Sequence, residues 1–174
     1  MNGFIFIDEM GSNLALARRY GRAEPGVRVE DEVPSARGEN VSTLAALALD
    51  GVRAAWSLPG AVDGETFLRF VRQALAPKLK PGEIVFLDNV PTHKVGGVVE
   101  AIEAVGARVE YLPEYSPDLS PIENFWSKVK AMLRSIGARN LGDLFAALRR
   151  AFAAVTLKDI VGWFIHCGYR VAPN

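Results

Sequence analysis

The sequence predicts an α/β fold in which helices cover a mixed five-stranded sheet, made of an antiparallel meander followed by parallel strands. Two short apolar runs, at residues 4–7 and 84–87, lead directly into Asp8 and Asp88, and such runs are typical of strands buried on both faces. An Asp-Gly pair at 50–51 separates two further apolar runs, which indicates a β-hairpin. In the second half of the chain, helical periodicities alternate with short apolar runs, and this order predicts strand–helix–strand crossovers.

Length and composition fit one globular domain. The chain has 174 residues, of which 49% are apolar and 23% charged, so we expect a single domain over residues 1–174. No apolar stretch approaches the roughly 20 residues of a membrane span, and no signal peptide is visible, so we expect a cytoplasmic protein. Cys167 is the only cysteine, which excludes an intrachain disulfide and a cysteine-based metal site. The net charge of +0 counts mildly against nucleic-acid binding, although carboxylates grouped at a metal would be neutralised by it.

The N-terminal part of the chain is predicted to form the meander. Residues 3–8 form the first strand, and residues 10–20 are predicted to form one or two helical turns followed by a strand. Residues 24–40 contain several Pro and Gly and predict a loop with a short strand. The apolar runs at 41–49 and 52–58 are the two strands of the predicted hairpin.

The middle of the chain is predicted to alternate between helix and strand. Asp63 is an N-cap candidate for a helix that extends to about residue 76, and the strand ending at Asp88 follows. Thr92 is predicted to cap the next helix, which Gly106 closes. The last strand is predicted at residues 108–112.

Three helices are predicted at the C-terminal end. The first begins at Pro121 and ends at Gly137. Asn140 and Thr156 are predicted to cap the other two, because each stands directly before an apolar stripe of helical spacing.

Asp8 and Asp88 are the first candidates for a functional site. If their two strands are parallel neighbours about 4.8 Å apart, both carboxylates emerge at the same edge of the sheet and can share a metal ion. The structural alternative is that each Asp only forms a turn at the end of its strand.

Glu123 is the third candidate. It follows the last strand at the start of a helix, so it can lean back over the sheet edge towards Asp8 and Asp88. The alternative is a capping box, with Ser120 at the N-cap and Glu123 three residues later. Three oxygen ligands without Cys or His suit Mg²⁺ or Mn²⁺.

Several motifs around these carboxylates resemble one known family. They are Phe6-Ile7-Asp8-Glu9, Tyr20-Gly21, Pro25-Gly26, Phe86-Leu87-Asp88-Asn89, His93-Lys94 and, most specific of all, Leu112-Pro113-Glu114-Tyr115-Ser116-Pro117-Asp118-Leu119-Ser120-Pro121-Ile122-Glu123 continuing to Trp126 and Lys130. The chain resembles the catalytic domain of a DDE transposase (DDE superfamily endonuclease), in the bacterial insertion-sequence group allied to mariner-like elements. The resemblance spans residues 4–130.

The resemblance implies a ribonuclease-H-like fold and a metal-binding triad at Asp8, Asp88 and Glu123. It implies Mg²⁺- or Mn²⁺-dependent cleavage of DNA phosphodiester bonds at the ends of a mobile element, followed by strand transfer into target DNA at a TA dinucleotide. We expect two metal ions, bridged by Asp8. The expected partners are the terminal inverted repeats, target DNA and a second copy of the chain, and the expected location is the cytoplasm, in association with the nucleoid.

Four further side chains are candidates for DNA contacts: His93, Lys94, Lys128 and Lys130. The two lysines after Glu123 share its helix, and Lys130 lies on the same face, so they can bind phosphates beside the metal site. For the two lysines after Glu123 the alternative is a solvated helix face with an ion pair, and for His93 it is a structural or surface position. Trp126 is predicted to belong to the core rather than to stack on a base.

The resemblance also predicts what the chain lacks. Family members carry an N-terminal helix-turn-helix region that recognises the element's ends, whereas Asp8 here lies close to Met1. We therefore expect the catalytic half alone, either as a trimmed fragment or as the second frame of an element.

Two rival functions remain at this point. One is another ribonuclease-H-like nuclease that acts on RNA–DNA hybrids or branched DNA. The other is a non-catalytic remnant or regulatory product that binds a full-length transposase.

Overall fold

A computed structural model describes residues 3–171, and its centre is a five-stranded sheet in the order β3-β2-β1-β4-β5. The strands are β1 (Phe4–Asn13), β2 (Asn40–Ala48), β3 (Gly51–Pro59), β4 (Ile84–Leu87) and β5 (Arg108–Tyr111). The α-helices are α1 (Gly64–Phe70), α2 (Val98–Glu103), α3 (Pro121–Ile136), α4 (Leu141–Ala153) and α5 (Leu157–His166). The predicted mixed α/β sheet is confirmed.

The first strand pairs with both halves of the chain. β1 is antiparallel to β2, and β2 is antiparallel to β3, so the predicted hairpin about Asp50-Gly51 is present. β1 is also parallel to β4, with Phe6 opposite Phe86, and β4 is parallel to β5. The parallel adjacency that would bring Asp8 and Asp88 to one edge is therefore confirmed.

β1 is longer than predicted. It extends to Asn13, which pairs with Asn40, so the predicted helical turns after residue 10 are wrong. Pairing with β2 holds the backbone extended there, and residues 14–39, all within the described part of the chain, contain only turns and bends. The short strand predicted within 24–40 is also wrong, apart from Asn40 at the start of β2. Asp8 consequently lies within a strand and not at its end.

Asp63 caps α1 as predicted, since its Oδ1 accepts a hydrogen bond of 2.8 Å from the backbone N–H of Thr66. The helical path continues beyond α1 as a π-helical turn (Val71–Leu75) and a 3-10 turn (Ala76–Lys78). Pro77 lies in this last turn and has no N–H to continue an α-helix. The end predicted near residue 76 is thus close to the end of the helical path.

The helix after Asp88 starts later than predicted. Pro91–Lys94 forms a 3-10 turn, and Gly97 with φ 94° precedes α2, so Thr92 does not cap an α-helix. A left-handed residue cannot continue an α-helix, which delays its start to Val98. The side chain of Glu100 accepts a hydrogen bond of 2.9 Å from the N–H of Gly97.

The caps of the C-terminal helices match the prediction. Gly137 ends α3 with φ 65°, and Asn140 accepts a hydrogen bond of 2.9 Å from the N–H of Asp143. Thr156 and Asp159 form a capping box at the start of α5.

Two hydrophobic cores enclose the sheet. Side chains alternate along β1, so that Phe6 faces α3, α4 and α5, whereas Ile5 and Ile7 face α1 and α2. Within residues 3–171, no helix is long and apolar enough to cross a membrane.

Candidate active site

A cleft opens where β1 and β4 separate. Their pairing ends at Phe6 and Phe86, and Asp8 and Asp88 each follow two residues later. The cleft has a volume of about 410 Å³ and is lined by Ile7, Asp8, Asp88, Asn89, Val90, Pro91, Leu112, Pro113, Glu114, Tyr115, Ser116, Pro117, Ser120 and Glu123. All three carboxylates predicted from the sequence line this one cleft.

Asp8 is partly buried on β1 and is held by α3. Its Oδ2 accepts a hydrogen bond of 3.0 Å from the indole Nε1–H of Trp126. Burial raises the pKa of Asp8 to about 6, and the charges of Glu123 and Asp88 add to the rise. A hydrogen bond from the backbone of Glu9 and the charge of His93 oppose it. Any cation that enters the cleft would stabilise the ionised form of Asp8 and lower its pKa.

The two carboxylate oxygens of Asp88 lie in different surroundings. The side chain is 42% exposed, but its Oδ1 is buried and faces Nδ1 of His93. The two atoms are in contact, but neither has a hydrogen-bond partner of regular geometry. The arrangement leaves Oδ2 of Asp88 as the oxygen available to a ligand.

His93 is a core residue. It is 3% exposed, and its ring stacks on Phe67 of α1 with ring centroids 4.2 Å apart. The DNA contact predicted for His93 does not fit this position, because a buried imidazole cannot reach a phosphate outside the protein.

Glu123 is exposed in the first turn of α3 and lines the cleft. The capping box predicted for it is wrong, because the Ser120 side chain makes no capping hydrogen bond. The N–H of Glu123 bonds instead to the backbone oxygen of Ser120 at 3.1 Å. Glu123 is therefore not engaged in a capping box, and its role at the cleft stays a prediction.

The donor set suits a hard divalent cation, since carboxylate oxygens are the ligands that Mg²⁺ and Mn²⁺ prefer. Nevertheless, no three His, Cys, Asp or Glu side chains within residues 3–171 approach closely enough to form a complete metal-binding group. The triad of Asp8, Asp88 and Glu123 therefore shares a cleft and an electrostatic coupling, and its metal binding stays a prediction.

The candidate lysines differ in their surroundings. Lys128 forms an ion pair of 2.6 Å with Asp159, which links α3 to α5, as the structural alternative anticipated. Lys130 is half-buried on α3. Lys94 is exposed, and its Nζ lies 5.7 Å from the centre of the Tyr111 ring.

Sequence reasoning missed two features of the cleft. Trp126 belongs to the core as predicted, but its indole N–H also donates to Asp8. The sequence signal that could have indicated this contact is its position three residues after Glu123, on the same face of the helix. Tyr115 is 98% exposed and lines the cleft with φ 56°. No sequence pattern predicts a positive φ for a tyrosine.

Comparison with solved structures supports the fold. The Mos1 transposase paired-end complex with left transposon end has a TM-score of 0.75 at 19% identity, covering 95% of this chain and 52% of that one. The Mos1 transposase catalytic domain with Raltegravir and Mg has a TM-score of 0.70 at 17% identity, covering 96% of this chain and 81% of that one. At these identities the likeness shows the fold alone, which is ribonuclease-H-like, as predicted.

Sequence comparison supports the family. The transposable element Tcb1 transposase of Caenorhabditis briggsae is 31% identical over 73 residues, which are 42% of this chain and 27% of that protein. The chain thus spans only part of the length of this relative. The profile of the family described as DDE superfamily endonuclease matches residues 3–144. Since that match covers most of the chain, including all three carboxylates of the cleft, the chain belongs to the DDE superfamily endonuclease family.

Proposed function

We propose that the chain is the catalytic domain of a DNA transposase, which cleaves phosphodiester bonds at the ends of a mobile element and joins them to target DNA. The observation that supports the proposal is that Asp8 of β1, Asp88 after β4 and Glu123 of α3 line one cleft in a chain of the DDE endonuclease family. The similarity to the Tcb1 transposase and to Mos1 transposase complexes supports it.

The cofactor in this proposal is Mg²⁺ or Mn²⁺, as two ions held by Asp8, Asp88 and Glu123. The oxygen-only donor set supports this choice, and the Mos1 paired-end complex has been solved with Mn and with Mg. When bound, the ions would lower the pKa of the attacking water and stabilise negative charge on the phosphate and the leaving oxygen.

The protein's own contribution is positioning. Trp126 donates a hydrogen bond to one oxygen of Asp8, and one oxygen of Asp88 is buried against His93, so both carboxylates are restricted in orientation at the cleft. In-line displacement at phosphorus requires fixed groups and a fixed substrate rather than a protein nucleophile. Three oriented carboxylates would therefore hold the ions in place, and the ions would supply the charge stabilisation that the reaction needs.

DNA is the proposed substrate, as terminal inverted repeats and as target. Lys94 and Lys130 are the candidate phosphate contacts, whereas Lys128 is engaged by Asp159. We propose a homodimer in the active complex and recognition of element ends by a separate or frameshift-fused helix-turn-helix portion. The solved Mos1 transpososome and paired-end complexes support an assembly with transposon ends.

The test is cleavage of labelled duplex, tailed-duplex and RNA–DNA hybrid substrates with Mn²⁺ or Mg²⁺. Asp88→Asn keeps the shape of the side chain and should abolish cleavage while circular dichroism and the melting transition stay native-like. Asp118→Asn, which changes an exposed carboxylate outside the lining of the cleft, should cleave normally. Metal-dependent cleavage that persists in Asp88→Asn would refute the site, and cleavage of the hybrid alone would favour a different ribonuclease-H-like nuclease.

A further inference from the structure

Tyr115 adopts a backbone conformation that its own contacts do not explain. It is the one non-glycine residue within 3–171 with a positive φ, at 56°. A bulky side chain disfavours this left-handed region, which Gly, Asn and Asp occupy more readily. Because the side chain is 98% exposed, packing within the protein does not compensate for the strained backbone. Strain of this kind concentrates at functional sites.

The segment that carries Tyr115 is fixed beside the carboxylates. The N–H of Leu112 bonds to the carbonyl oxygen of Leu87 at 2.8 Å, directly before Asp88. Asn89 donates to Oε1 of Glu114 at 3.4 Å, and the Ser116 hydroxyl donates to the carbonyl oxygen of Glu114 at 3.3 Å. Prolines at 113 and 117 restrict the backbone on either side. The ring is therefore held at the rim of the cleft by a short, braced loop.

The composition of this loop limits what it can offer to DNA. Between Leu112 and Ser120 there is no basic residue, and Glu114 and Asp118 are acidic. The loop cannot attract a phosphate by charge. Its one large side chain presented to solvent is the Tyr115 ring, and exposed aromatic rings bind nucleic acid by stacking on bases, largely irrespective of sequence.

We propose that Tyr115 is a base-stacking platform, which binds an unpaired nucleobase next to the scissile phosphate in the cleft lined by Asp8, Asp88 and Glu123. The inference rests on the proposed function, because it names a contact of the same cleft with the same substrate. The left-handed backbone turns the ring outwards before DNA arrives, so the ring is already presented to the base.

The experiment measures DNA binding by fluorescence anisotropy with Ca²⁺ in place of the catalytic metal. The probe is a duplex with a short single-stranded tail, and a second probe has abasic sites throughout that tail. Tyr115→Asn removes the ring but suits a positive φ, so the loop keeps its conformation. We expect this variant to bind the tailed duplex roughly 5- to 150-fold more weakly, which is the range for the loss of one stacked base.

Tyr115→Phe keeps the stacking face and should bind like the unmodified chain. On the abasic probe, the unmodified chain and Tyr115→Asn should bind equally, because the base that stacks is gone. Tyr20→Ala is the matched control, since Tyr20 is 90% exposed but lines a different surface depression, and it should leave binding unchanged.

Each contrary result has a defined meaning. A loss in Tyr115→Phe as large as in Tyr115→Asn would assign the effect to the hydroxyl and overturn stacking. Equal loss on the abasic probe, or in Tyr20→Ala, would also overturn it. If the unmodified chain cleaves DNA while Tyr115→Asn binds normally, only this inference fails. If the unmodified chain neither binds nor cleaves, the proposed function fails as well.

Discussion

Asp8 is the residue at which stability and function are opposed. Its carboxylate lies in a partly buried position near two other carboxylates, and burial raises its pKa from 3.8 to about 6. The folded protein therefore retains a proton on Asp8 at pH values where the unfolded chain has released it. A cation in the cleft would favour the ionised form, so the destabilising feature is also the one that favours metal binding.

This residue makes the stability of the fold depend on pH in a defined window. Between about pH 4 and pH 6, the unfolded chain loses the Asp8 proton first, so stability falls as the pH rises and is constant above the window. Asp8→Asn removes this dependence and keeps an acceptor for Trp126. We expect it to be more stable than the unmodified chain by up to about 3 kcal/mol at pH 8, and equally stable at pH 3.5.

Urea unfolding at the two pH values, without divalent metal, measures the difference. Asp31→Asn is the control, because Asp31 is an exposed carboxylate that accepts a hydrogen bond from the backbone N–H of its neighbour Glu32. If Asp8→Asn gives no stabilisation at pH 8, the ionised carboxylate is well solvated in the folded state and the raised pKa of Asp8 is refuted.

Among the secondary-structure elements, α3 is connected to the cleft in two ways. It supplies Glu123, and its Trp126 donates to Asp8. Its Lys128 also pairs with Asp159 and so joins α3 to α5. The helix thus fixes the distance between its own carboxylate and a carboxylate on β1. Losing one of these links should disturb the cleft without unfolding the helix.

Trp126→Phe tests this link, because phenylalanine keeps most of the buried ring and lacks the N–H donor. Metal sites that lose a hydrogen bond to a ligand typically lose about 10- to 100-fold in affinity or activity. We expect a decrease of that size in Mn²⁺ affinity, measured by electron paramagnetic resonance, and in the cleavage rate. Trp163→Phe is the matched control on α5, where the ring packs beside Phe125. Unchanged Mn²⁺ affinity in Trp126→Phe would show that the hydrogen bond does not orient Asp8.

Elements defined by local chemistry could be predicted from the sequence, and elements defined by distant partners could not. The caps at Asp63, Asn140 and Thr156 involve atoms within three residues, and all three were predicted. The extension of β1 to Asn13 depends on pairing with β2, which short-range periodicity does not contain. The late start of α2 depends on the left-handed conformation of Gly97. It could not be predicted, because the pair Gly96-Gly97 is compatible with several backbone conformations.

The same distinction applies to the cleft. Asp8 and Asp88 could be proposed because parallel neighbouring strands bring their ends together, and Glu123 could be proposed because its helix follows the last strand. The Pro-rich block ending at Glu123 then added, by resemblance, the expectation of a DNA-cleaving triad. The burial of His93 and the exposure of Tyr115 are set by how loops pack on the finished sheet. Neither property has a signature in the types of the neighbouring residues.

At the scale of the whole molecule, the charges balance, with 20 basic and 20 acidic residues. Overall charge therefore gives DNA no general attraction to the chain, and any affinity for DNA would have to come from local contacts, including those that a metal bound in the cleft would make. A metal that binds the folded chain alone also stabilises it by mass action.

Mn²⁺ at about 100 times its dissociation constant should add about 2.7 kcal/mol of stability. For a chain of this size, that corresponds to a rise in melting temperature of roughly 5–10 °C. Differential scanning calorimetry with and without Mn²⁺ measures the rise. Asp88→Asn should lose most of it, and Asp118→Asn should keep it. An equal rise in Asp88→Asn would place the stabilising ion elsewhere on the molecule.

The edge of β1 that faces β4 has a consequence for how the chain folds. β4 follows β1 in the chain only after β2, β3 and α1, so pairing β1 with β4 closes a long loop, which is expected to slow that pairing. A partly folded chain with this edge unpaired would be open to pairing with other molecules. β4 pairs with only Phe4, Ile5 and Phe6 of β1, and from Ile7 onwards the edge is not paired with β4. In the finished molecule, Ile7 and Asp8 of this unpaired stretch line the cleft.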